Sequence, residues 1–131
     1  MVKSRLLTAL LLAAVTPQAI AVGGAEFNEL VACDKEHDPY GPDKLAAERV
    51  GNRLIVTGWA GMACGEHVAN PKAVPDWGSL TLQIESKSAD GVVAACRCTS
   101  KFQFLITDEV PTGRTIYLVK DGKGAAHAVA P

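Results

Sequence analysis

The sequence predicts an all-β protein, a small antiparallel β-sandwich or small barrel of about six to seven strands. Three observations carry that expectation. Leu80, Leu82 and Ile84 alternate strictly with Thr81, Gln83 and Glu85, the period-two pattern of a half-buried strand. Turn-forming groups, Gly51-Asn52, Ala89-Asp90-Gly91, Val110-Pro111-Thr112-Gly113 and Asp121-Gly122-Lys123-Gly124, recur between apolar runs. No stretch beyond residue 21 sustains a 3.6-residue apolar period, so no helix is expected.

Residues 1–21 read as a cleavable secretory signal. Lys3 and Arg5 form a positive start, residues 6–15 are apolar apart from Thr8, and Ala19-Ile20-Ala21 is a small-x-small cleavage site. The apolar run is too short for a spanning helix of about 20 residues, and no second one follows, so no membrane anchor is expected. There is no twin-arginine pair, which points to export of the unfolded chain. The small residues before Cys33 resemble the pattern ahead of a lipidated cysteine, but Glu26, Asn28 and Glu29 intervene where a signal must be apolar.

Removing 21 of the 131 residues leaves 110, the usual size of one domain. Residues 22–131 are therefore expected to fold as one unit, with an N-terminal segment and acidic loop over 22–43 and the sandwich over 44–131. Residues 34–43 (DKEHDPYGPD) are polar and broken by Pro39 and Pro42, hence a loop. Residues 44–50 and 53–60 form a hairpin about Gly51-Asn52. Residues 61–78 hold three glycines and two prolines without a period, and are expected to form a long irregular connection. Strands are then expected from Ser79, over 92–99, through Phe102, Phe104 and Ile106, over 114–120 and over 125–130. Immunoglobulin-like and transthyretin-like sandwiches both suit this spacing as architectures, and neither implies a function.

Loss of Lys3 and Arg5 with the signal leaves 11 basic against 14 acidic residues, a net charge of −3 with neutral histidines. The remaining basic residues are scattered singly. Nucleic acid and anionic membranes are thus disfavoured as partners.

Cys33, Cys64, Cys96 and Cys98 make an even set in an exported chain, so two disulfides are expected. Cys96 and Cys98 lie two apart on an expected strand, about 6.6 Å between Cα atoms, near the limit for a bridge. Each should therefore pair with Cys33 or Cys64, in an order the sequence leaves open. The alternative is a soft-metal site for copper or zinc built from Met62, Cys64, His67, Cys96 and Cys98, since thioether and thiolate ligands favour those ions. The CxxC pairs of structural zinc sites and of thiol oxidoreductases are both missing. With two disulfides formed, no cofactor is expected.

Asp34, Glu36 and Asp38 have the alternate spacing that opens a calcium loop, but Pro39 stands where glycine is required and Leu45 where glutamate is. His37 and His67 fall in expected loops and His127 on an expected edge. No GxSxG, HExxH or phosphate-binding glycine motif occurs, so no catalytic residue is assigned. A nucleophile and base made of Cys64 and His67 is the one pairing within reach. Trp77, Trp59 and Tyr40 are candidate anchors for a protein or small-ligand partner, bound through residues 61–78. Against this, Trp77 could fold back as a lid on the core and Trp59 could belong to a strand. The sequence thus favours a periplasmic or secreted, non-catalytic binding protein.

Overall fold

A computed structural model describes residues 20–22, 24–34, 36–92 and 94–131. The positive start and apolar run of the expected signal lie outside the described residues. Nine strands form among the described residues: β1 (Ile20–Val22), β2 (Ala25–Asp34), β3 (Lys44–Val50), β4 (Arg53–Ala63), β5 (Glu66–Asp76), β6 (Ser79–Ser88), β7 (Arg97–Ile106), β8 (Thr115–Lys120) and β9 (Lys123–Val129). They build two packed sheets, β1-β2-β7-β4-β3 and β5-β6-β8-β9. The β-sandwich expected from the alternation is what forms, with more strands than expected and with one pair, β6 and β8, running parallel. The parallel pair arises because the chain leaves β6, crosses to the first sheet as β7 and returns as β8.

Alternation dictates the core. Even-numbered residues of β4 (Leu54, Val56, Ala60, Met62), β6 (Leu80, Leu82, Ile84), β7 (Phe102, Phe104, Ile106) and β8 (Ile116, Leu118) are buried between the sheets. All three phenylalanines meet there, with Phe27 5.1 Å from Phe104 and 5.9 Å from Phe102 between ring centres. Phe102 is directly opposite Gly58, and any Cβ at Gly58 would collide with its ring. The glycine thus makes room for the largest core side chain.

Turns follow the residues available. Gly51, at φ +61°, opens the two-residue β3–β4 turn, and Asp121-Gly122, both with positive φ, form the two-residue β8–β9 turn. After β6, the Ser88 hydroxyl and then the Val92 amide hydrogen-bond Asp90 and hold its carboxyl below the usual carboxylate range.

Two expectations are corrected. Residues 61–78 are not an irregular connection: β4 continues to Ala63, Cys64-Gly65 carries the chain to the other sheet, and residues 66–76 form β5. Pro71 and Pro75 are tolerated because β5 is an edge strand, and Pro71 sits in a bulge whose Asn70 has φ +48°. Residues 92 and 94–96 are not strand. Val92 is exposed, β7 begins at Arg97, and the Cys96 carbonyl instead accepts the Cys64 amide at 2.9 Å. Within the 22–43 segment, β2 pairs with β7 inside the first sheet.

The sheets are joined at Gly61. Asp43 accepts the Gly61 amide at 2.9 Å, Lys120 of β8 donates to the Gly61 carbonyl at 2.9 Å, and Lys120 and Asp43 pair at 2.8 Å. Both side chains are largely buried, so the pair and the two backbone bonds satisfy one another.

Candidate functional site

The sandwich has two chemically different ends, separated along the 11 residues of β5 by roughly 30 Å. The sulfurs gather at one end. Cys33 is bonded to Cys98 and Cys64 to Cys96, with Cα separations of 4.9 and 5.4 Å. Cys96 and Cys98 are therefore not partners, as expected, although Cys96 lies before β7 and not on one strand with Cys98, and the choice left open by the sequence falls on Cys33 with Cys98. No cysteine remains free. Such bridges belong to an oxidising, extracytoplasmic environment. The Cys33 sulfur is committed to its bridge. The two bridges touch, with Cys64 Sγ 3.1 Å from Cys98 Sγ.

Of the residues named beside these sulfurs, Met62 is buried in the core and His67 is turned to Glu29. Glu29 is a residue the sequence reading missed. One of its oxygens lies 2.9 Å from His67 Nδ1, and the other accepts the Val68 amide and the Ser100 hydroxyl, both at 2.8 Å. It joins β2 to β5 across the sandwich. With its sulfur in a disulfide, Cys64 offers no thiol to pair with His67.

The acidic loop lies at the same end. Asp34 accepts the Glu36 amide and Asp38 the Tyr40 amide, each at 3.0 Å, so the alternate carboxylates are turn acceptors. His37 stacks on Trp59 at 5.3 Å with 13° between planes, and Lys101 lies 5.7 Å from the same ring. Trp59 belongs to β4, half-buried under these two side chains, whereas His37 was expected to be free in its loop. Tyr40 is exposed on this loop, and His127 is exposed on β9. Trp77 stands apart from both Trp59 and Tyr40, so the three aromatics form no common surface.

Trp77 occupies the other end. It forms, with Gly78, the two-residue turn between β5 and β6, and its own amide is held by Asp76 at 2.8 Å. Its side chain is 99% exposed, so it is no lid. Beside it opens a cavity of about 170 Å³ whose floor is Ala73, Leu80, Ile106 and Val110 and whose walls include Pro75 and Pro111. Asp76, Asp108, Glu109 and Arg114 stand at its rim.

The far wall, residues 107–114, is fixed by its backbone. Thr107 donates its amide and hydroxyl to the Gly24 carbonyl, at 3.3 and 2.7 Å. Gly113 and Ala130 exchange bonds with Ala130 and Arg114 carbonyls at 2.8 Å, and Gly113 takes φ +88° to close the turn. Arg49 bonds the Val110 carbonyl and, at 2.6 Å, the Pro131 carbonyl. Asp108, Glu109 and Arg114 were not singled out in the sequence, where Val110-Pro111-Thr112-Gly113 reads only as a turn. Nothing in it signals that β5 and β6 end beside this loop. No family model matches the chain, and no curated protein and no solved structure matches it.

Proposed function

We propose that this protein is an exported, non-catalytic binding module, which meets its partner through the Trp77 turn and the adjoining cavity. The observation that carries the reading is the full exposure of Trp77 beside a mostly apolar cavity with a fixed wall. An indole buries about 150–250 Å² when packed, so at about 25 cal/mol/Å² roughly 4–6 kcal/mol of transfer free energy is left unused by the fold. A partner that covers the ring recovers part of it, and tryptophan is among the residues that dominate binding energy. Export rests on the signal in residues 1–21 and on two disulfides, in the periplasm or outside the cell. Cleavage after Ala21 removes two of the three β1 residues, leaving β2 as an edge and a mature sandwich of four strands in each sheet.

The test is expression of the full chain with native export, followed by intact mass without reductant and measurement of binding to extracellular proteins from its source. Loss of residues 1–21 and of four hydrogens, with binding abolished by Trp77→Ala, supports the reading. An uncleaved chain, or binding indifferent to Trp77→Ala, rejects it.

A second reading is favoured by one observation. The sulfurs of Cys64, Cys96 and Cys98 all lie within 4.8 Å of one another, and three thiolates at about 2.3 Å from one zinc ion would be spaced about 3.8 Å. On reduction these three would offer a site for copper(I) or zinc, without Met62, which is buried, and with His67 only if it leaves Glu29. Titration of the fully reduced protein with zinc, compared with Cys96→Ser, tests it. Equal affinity of the two rejects the metal reading.

A further inference from the structure

We propose that the Trp77 cavity receives a basic peptide segment, one apolar side chain filling the cavity and an adjacent lysine or arginine lying against the Trp77 ring and the acidic rim. The inference rests on the reading of the Trp77 end as a contact surface and names the chemistry of what it contacts.

Size sets the first limit. A cavity of about 170 Å³ is smaller than the roughly 300–1,000 Å³ of cofactor and small-ligand pockets, and close to the 150 Å³ that takes a benzene ring. It accommodates the end of one leucine, isoleucine or phenylalanine. Ala73, Leu80, Ile106 and Val110 give that group an apolar floor.

Charge sets the second. Asp76, Asp108 and Glu109 line the opening with one cation, Arg114; the Asp108 carboxyl lies against Gly24, so Asp76 and Glu109 leave a local excess of one negative charge over Arg114. Arg114 is drawn in under the turn, with Nη1 3.1 Å from where a Cβ on Gly78 would lie, while Glu109 is exposed on the opposite wall. The Trp77 ring lines the same opening and, being open to solvent, leaves its π face free for contact. A π face next to carboxylates attracts an ammonium or guanidinium group, and repels an acidic or phosphorylated segment. An apolar anchor beside a cation is a property of a polypeptide. The wall is already anchored at both ends, at Thr107 and over Pro111 to Arg114, which lowers the cost of binding.

The experiment is selection of a random twelve-residue peptide library on the oxidised protein, with counter-selection on Trp77→Ala. Selected peptides are then titrated against wild type, Trp77→Ala, Asp108→Asn with Glu109→Gln, and Glu109→Lys. The expected result is enrichment of lysine or arginine beside a single large apolar residue. Affinity should fall about thirtyfold or more in Trp77→Ala and about fivefold in the double neutral variant, with a weaker dependence on salt. Trp77-dependent peptides that are neutral or acidic, or that bind Glu109→Lys as well as wild type, would overturn the basic-segment proposal and leave the contact surface standing. Absence of any Trp77-dependent peptide would overturn both.

Discussion

Glu29 and Trp77 are opposite uses of a side chain. Glu29 accepts from two groups through one oxygen and faces His67 through the other, mostly out of solvent. Replacing it with alanine strands the buried Ser100 hydroxyl and the Val68 amide, so Glu29→Ala should cost about 1–3 kcal/mol in urea unfolding. Trp77 touches little of its own protein. Trp77→Ala should change stability by less than about 0.5 kcal/mol in the same measurement. A loss above about 2 kcal/mol would mean the ring packs on the core. Neither residue announces its role in the chain order. The Glu29 partners come from β5 and β7, and the exposure of Trp77 depends on where β5 ends.

At the scale of elements, legibility tracked periodicity. The β3–β4 hairpin, β6 and β8 follow from alternation and from Gly51 and Asp121-Gly122, because both signals act within a few residues. β5 escaped because Pro71 and Pro75 read as breakers. They are compatible with a strand only at a sheet edge and a bulge, and edge position is set by distant pairing. Residues 92 and 94–96 failed the other way, since apolar residues there suggest a strand, whereas Cys96 is held outside β7 by its bridge and backbone bond to Cys64. The β4–β7 pairing rests on Gly58 beneath Phe102. Gly58→Ala should destabilise by about 1–3 kcal/mol through displacement of that ring, and near-ultraviolet circular dichroism should report the repacking. An unchanged melting temperature would show that the ring has space to move.

For the whole molecule, the two bridges close loops of different length, with sequence separations of 65 and 32 residues. Chain entropy assigns each about 2–4 kcal/mol, and the doubled loop about 0.6 kcal/mol more. Cys33→Ala with Cys98→Ala should therefore lower stability more than Cys64→Ala with Cys96→Ala; the reverse order would place the main constraint at the β4–β5 turn. The disulfide end was legible because four cysteines in an exported chain imply two bridges and strand spacing disfavours the 96–98 pair, although Cys96 proves to lie just before β7. The Trp77 end was not, beyond the tryptophan itself, because its cavity joins residues about thirty positions apart, from Ala73 and Leu80 to Ile106 and Val110. The reading of the molecule as a binding module turns on that end. The chain has two tryptophans, so in Trp59→Phe the fluorescence comes from Trp77 alone. Its emission should match a free indole in water and be fully quenched by acrylamide; blue-shifted emission shielded from the quencher would contradict an exposed contact residue.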